Sequence, residues 1–312
     1  MITRSNSTTD TSPIDLDGLE EIQGNLKVIA PPTGITVYSS TLRNISRWFE
    51  VVAESGVGPP LASLNLTFPK LAYMGDWFFS TKLIPYITFQ EGAVIQNNLK
   101  VDETDAGVLT TTSFSNITNS ASYSMVVSDN RKMYSFTCPV TNTRSVYVYR
   151  NTALSRLEFP TLRQVNGTLE IYQNPALAEI DLSPSWINRC EIYLNSHNAK
   201  LTLKNLTSIG TSFINGGLKL QNLASISLPV LRQIFGSLGV SYNTVEDFEL
   251  FTLENTTAEA RINSNPNLVT LSLPRLQNVG DVIIDTNPKL LNVTANSLIT
   301  AKSITMTGNF TK

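Results

Sequence analysis

The hydrophobic positions of this chain fall in short alternating runs, and run after run closes on an asparagine. SMVVSDN ends at Asn130, SVYVYRN at Asn151, LEIYQN at Asn174, EIYLN at Asn195, LKLQN at Asn222, LGVSYN at Asn243, ARINSN at Asn265, VIIDTN at Asn287 and ITMTGN at Asn309. The steps between them are 21, 23, 21, 27, 21, 22, 22 and 22 residues, and the one long step fits an insertion near residues 207–217. Apolar residues two apart have the period of a strand, whose alternate side chains share one face. Pro160, Pro175, Pro229, Pro266, Pro274 and Pro288 punctuate the chain where a helix would need continuity.

Two more phrases recur between the asparagines. LSRLEFP, LAEIDLS, LASISLP and LVTLSLP form one set, and TLRQVNG, VLRQIFG and RLQNVGD form another. The N-terminal part repeats them more weakly, as GLEEIQGNLKV and KLAYMGDWFF, while residues 83–113 fit poorly and leave room for an irregular turn or a junction. A unit of about 22 residues holding up to three short strands makes one coil of a parallel β-helix. The prediction is an all-β, right-handed parallel solenoid, the hand following from the crossover rule for parallel strands. A polar tail over 1–13, a first solenoid half over 14–112 and a second over 113–312 are expected. Stacked coils should align Val148, Ile171, Ile192, Val240, Ile262, Ile284 and Met306 as one inward column. The asparagines should stand at the adjoining corner, because asparagine tolerates a left-handed backbone and its amide can bond from coil to coil.

Composition changes this picture only at the surface. The 312 residues include 29 Asn, 31 Ser and 35 Thr, against 15% charged residues and a net charge of −2. A phosphate-binding face driven by bulk charge is excluded, so no nucleic-acid partner is expected. No apolar run reaches the length of a membrane span, and the polar start carries no export signal. Asn-x-Ser/Thr sequons at Asn44, Asn65, Asn116, Asn166, Asn205, Asn255 and Asn292 are the glycosylation candidates; those at Asn6 and in the corner column at Asn309 are set aside.

The phrases Leu162–Ile171 and Asn265–Leu276 resemble the receptor L domain, the β-helical module of insulin and epidermal growth factor receptors. With the opening IDLDGLEEIQGNLKV and the Asn/Thr-rich coils, residues 14–312 look most like the fungal GPI-anchored cell-wall organisation proteins related to the sporulation-specific wall protein. The resemblance implies a non-enzymatic, glycosylated, extracellular protein of the cell surface or wall, with wall polysaccharide or wall proteins as partners. The family's leader, Ser/Thr-rich stalk and anchor tail are not in this sequence, and the last residues fall within a repeat phrase, so a fragment is expected. Membrane attachment is implied only through an anchor outside this chain. Of the disulfides usual in such domains only Cys138 and Cys190 remain, and two coils of separation argue against their pairing.

Catalytic chemistry has little to stand on. One histidine, His197, excludes a multi-histidine metal site, and no phosphate loop, dinucleotide turn, Cys-x-x-Cys pair or nucleophile elbow occurs. Neither a catalytic residue, a metal ligand nor a cofactor is expected. The enzyme alternative is a carbohydrate-active β-helix, which would need carboxylates from separate coils to converge. Its candidates are Asp102, Glu103 and Asp105, then Glu246, Asp247 and Glu249, then Asp281 with Asp285. The binding alternative is a receptor-like ectodomain for a protein or glycan. Tyr149, Tyr172 and Tyr193 each follow an inward residue by one, which places them on the outer face as a self-stacking stripe or a contact surface. Trp77 and Phe79 should be core, with Phe78 turned outward.

Overall fold

The computed structural model describes residues 13–30, 35–53, 63–80, 84–89, 93–102, 108–110, 124–138, 140–211 and 216–308. No helix occurs among them, and the strands stack in parallel as a β-solenoid whose turns lie about 22 residues apart. The chain divides into two compact units, Met1–Leu154 and Ser155–Lys312. All of the expected 1–13 tail but its last residue, and the expected junction at 112/113, lie outside the described residues.

In the first unit the main sheet stacks Leu26–Ala30, Asn44–Ala53, Tyr73–Ser80, Val94–Asp102, Ser124–Ser128 and Ser145–Tyr149, all parallel. The register superposes Leu26, Phe49, Trp77, Leu99, Met125 and Val146 in one inward column and Val28, Val51, Phe79, Val101, Val127 and Val148 in the next; all are buried. A second wall is built from Ile14–Asp15, Ile35–Tyr38, Ser63–Phe68 and Ile84–Phe89. The stretch that fitted the repeat poorly therefore contains Ile84–Phe89 and Val94–Asp102 as ordinary coil strands. Its phrases have diverged, but alternation survives at Ile95, Leu99 and Val101, all fully buried, and alternation is what a strand requires.

In the second unit the main sheet runs through Gln164–Tyr172, Trp186–Tyr193, Gly216–Gln221, Gly236–Ser241, Ala260–Asn263, Asn278–Asp285 and Thr300–Met306. Ile171, Ile192, Leu220, Val240, Ile262 and Ile284 stand in register and are buried. Leu220 fills the place that the long repeat step had hidden. Met306, the expected last member, is 40% exposed. Thr300–Met306 has a described neighbour on one side only, so nothing among the described residues covers Met306 as it covers Ile284.

The corner differs from the expectation by one residue. The left-handed backbone, with φ between 52° and 58°, belongs to Asp129, Arg150, Gln173, Leu194, Tyr242, Ser264 and Thr286, each immediately before its asparagine. That turn leaves its own side chain outside and sends the next one inward. Asn130, Asn151, Asn174, Asn195, Asn243, Asn265 and Asn287 are accordingly buried. Strain of order 1 kcal/mol at each left-handed residue is offset by buried hydrogen bonds. Within the second unit, Asn174 donates from its backbone nitrogen (3.1 Å) and Nδ2 (3.0 Å) to Oδ1 of Asn195, and Nδ2 of Asn195 donates back to the Ile171 carbonyl at 2.8 Å. In the first unit, Asn130 and Asn151 repeat the arrangement.

Asn222 is the exception. It is itself the left-handed residue (φ 61°), and the inward place passes to Leu223, whose backbone nitrogen still donates to Asn243 Oδ1 at 2.9 Å. Asn222 instead accepts from the Leu194 backbone at 3.2 Å. The sequence assigned all nine asparagines one role; the structure gives it to seven, puts Asn222 outside the column, and leaves Asn309 beyond the described residues.

The recurrent glycine of the third phrase answers to a close approach of backbones. A Cβ on Gly236 would lie 1.7 Å from the Gly216 carbonyl oxygen, and one on Gly280 2.6 Å from that of Ala258. At this second corner successive coils touch main chain to main chain.

Candidate functional site

The outer face of the second unit carries an ordered group of side chains on its first coils. Tyr172 and Tyr193 occupy the same register position on adjacent strands, and their rings stack at 5.2 Å with planes 5° apart. The Tyr193 hydroxyl donates to Glu170 Oε1 at 2.6 Å, and the Lys219 ammonium lies 4.6 Å from the Tyr193 ring centre. Arg189 holds the neighbouring Glu191 at 2.5 Å. Desolvation, and then the Glu170 carboxylate, hold the Tyr193 phenol well above its usual range. In the first unit Tyr149 is outward and half-buried, and the Arg150 guanidinium lies 5.0 Å from its ring centre. Trp77 and Phe79 are buried, while Phe78, half-buried, aligns with Lys100 of the next strand. Cations over tyrosine rings stabilise such a face by about 0.5–2 kcal/mol each and offer charge and aromatic edge to a partner.

The acidic candidates do not form one group. Asp247 is exposed on Asp247–Glu249, in a short three-stranded sheet with Thr270–Ser272 and Asn292–Thr294. Asp281 and Asp285 belong to the main sheet, on one strand, four residues apart, or roughly 13 Å at strand rise. Asp281 accepts from Ser303 at 2.5 Å and lies 3.6 Å from Lys302, whereas Asp285 faces Arg261 at 3.8 Å. Glu246 and Glu249 are exposed; Asp102, in the first unit, accepts from Ser128 at 2.6 Å and pairs with Lys100 at 2.6 Å. Glu103 and Asp105 lie outside the described residues. No cluster of three or more metal-ligating side chains occurs among the described residues.

His197 is exposed, its ring 3.4 Å from the Asn222 amide. Cys138 and Cys190 are both buried thiols, one in each unit. Cys190 stands in the inward column between Leu169 and Leu218, where burial pushes its thiol up to about 12.

Among the sequons, Asn166, Asn205 and Asn292 are exposed. Asn65 points outward between buried Leu64 and Leu66, and its amide donates to Thr36 at 3.2 Å. Asn44 donates to Glu21 at 3.1 Å. Asn116 lies outside the described residues.

Asn255 belongs to a feature that the repeat phrases did not reveal, an open cleft of about 430 Å³ at the second corner of the second unit. Gln233, Asn255 and Asn278 hold one register position on three successive coils there, with Phe235 and Thr257 beside them. Asn278 donates to Asn255 Oδ1 at 2.7 Å and accepts from Thr300 at 2.7 Å. Thr256, buried on the strand of Asn255, has a hydroxyl without a hydrogen-bond partner. The signal was present in the sequence as a column of amides in the third phrase, at Gln164, Gln233 and Asn278, and reads as turn chemistry until the coils are stacked.

No protein-family model, curated protein or solved structure matches this chain.

Proposed function

We propose that the protein is a non-enzymatic extracellular protein of the cell surface or wall, of the receptor L-domain kind, contributing to fungal wall organisation as a rigid, glycosylated solenoid. The observation that carries this reading is the buried amide ladder, which ties coil to coil through side chains and backbone alike. Such a ladder resists bending and local opening, properties useful to a spacer or scaffold. The polar, weakly charged surface with exposed sequons at Asn166, Asn205 and Asn292 suits a heavily hydrated, glycan-rich setting. Expression of the tagged chain behind a secretory leader in a fungal host tests it. The expected result is a glycoprotein recovered with the wall or plasma-membrane fraction. A protein that is released unmodified into the medium and retained by neither fraction would overturn it.

A second reading, a receptor-like ectodomain, draws on the Tyr172, Tyr193 and Lys219 group, whose stacked rings and ammonium resemble the aromatic and cationic content of protein contact surfaces. Cross-linking from Lys219 on intact cells separates the readings. A single protein captured there, and lost with Tyr193→Ala, favours the receptor.

A further inference from the structure

We propose that the cleft at Gln233, Phe235, Asn255 and Asn278 is a binding site for a neutral sugar. The inference goes beyond the scaffold role and does not depend on it, since it stands on the lining of the cleft.

None of the lining side chains is charged, so an anionic or cationic ligand would be desolvated there without a counter-charge. A purely apolar ligand fits no better, because it would bury the amides of Gln233 and Asn255 unpaired. A sugar ring answers both requirements. Its hydroxyl edge can meet amides, each of which offers a donor and an acceptor, and its C–H face can lie on the exposed part of Phe235. Gln233, Asn255 and Asn278 repeat at the coil spacing of about 4.8 Å along the axis, a comb that suits successive residues of an extended glycan.

The polar groups are also poised for a ligand. Asn255 Oδ1 is taken by Asn278, while its Nδ2 and the Gln233 side chain donate to none of the described residues. Asn255 opens the sequon Asn255-Thr256-Thr257, so one sugar chemistry has two sources: a free glycan, or the first residues of a chain linked to Asn255 itself.

Two arms test the site on the whole chain. Protein made in a bacterial host, and therefore unmodified, is titrated by calorimetry with gluco-, manno- and chito-oligosaccharides. Protein made in a glycosylating host is treated with endoglycosidase under native conditions, and the Asn255 peptide is read by mass spectrometry. Phe235→Ala and Asn278→Ala are the variants, checked for native melting, with Tyr172→Ala as control. The expected result is saturable binding weakened by about tenfold or more in either variant and unchanged in the control. An Asn255 glycan that resists release until Phe235→Ala exposes it would equally uphold the site, with the attached chain as occupant. The proposal fails if no oligosaccharide binds and the Asn255 position is bare or freely cleaved, or if binding ignores both variants.

Discussion

Asn265 gives both its backbone nitrogen (3.0 Å) and its Nδ2 (3.1 Å) to the single Oδ1 of Asn287 one coil further on. It receives the same pair from Asn243, at 3.0 and 3.1 Å, and its Nδ2 also reaches the Val240 carbonyl at 3.0 Å. A residue that serves three coils at once cannot be replaced without orphaning groups that water does not reach.

Asn265→Ala should therefore be among the most damaging single changes in the second unit. It strips the acceptor from two donors of Asn243 and a donor from Val240, all buried. At about 1–3 kcal/mol for each orphaned group, a combined loss of about 3 kcal/mol or more is expected. Asn222→Ala removes the bond from the Leu194 backbone and the long contact with the His197 ring, both at the surface, and should cost about 1 kcal/mol or less. Urea unfolding of the two variants reads the difference, and equal losses would contradict the ladder.

Gly236→Ala should prevent the second unit from folding properly. The added carbon would sit 1.7 Å from a backbone oxygen, and the residue holds φ at 147°, where L side chains are strained. Gly239→Ala, three residues along the same strand, meets its nearest atom at 3.9 Å and should be tolerated. Soluble yield and circular dichroism distinguish the pair. A well-folded Gly236→Ala protein would show that the close approach of coils is not needed.

The Cys190 thiol is held neutral by burial, up to about 12 against an ordinary value of 9.0. Above pH 9 the unfolded chain releases this proton and the folded one keeps it, so the unfolded state binds fewer protons and stability falls as pH rises. The contribution is complete below about pH 9 and is lost progressively toward pH 12. Cys190→Val should flatten that part of the stability profile, and the native thiol should react with a thiol reagent only as fast as the coil opens. Rapid labelling of the native protein at neutral pH would contradict its burial.

A double-mutant cycle across Tyr172 and Tyr193 should return a coupling of about 0.5–1.5 kcal/mol, the value of a stacked aromatic pair beyond its buried area. Tyr193→Phe keeps the stack and loses the bond to Glu170, so its phenotype separates the two contributions. In the parent protein, phenolate absorbance should show Tyr193 still protonated where an ordinary tyrosine has ionised, since desolvation and Glu170 both oppose its charge. A coupling near zero would mark the stack as an accident of register.

Much of the coil was readable from the chain because a solenoid converts sequence period directly into space. Leu169, Ile171, Cys190 and Ile192 alternate with outward residues, and no distant partner is needed to say which face they take. Recurrence of the same phrase placed strand upon strand, and with them the outward stacking of Tyr172 on Tyr193. The glycine of the third phrase was legible as a motif, though not as a contact, since only stacked coils bring Gly236 against Gly216.

What the sequence by itself determined was the period, the strand type and the inward columns, because these depend on the spacing of apolar residues along one chain. The tertiary structure alone decided which residue of each corner bears the left-handed backbone, and hence that asparagine is the buried bridge beside it. It also decided that Asn222 steps out of the column, that Asp247 and Asp281 stand on different sheets, and that Gln233, Asn255 and Asn278 share a cleft. The first two of these turn on a shift of a single residue between coils. A one-residue shift barely alters the period, yet it moves a side chain from the core to the surface.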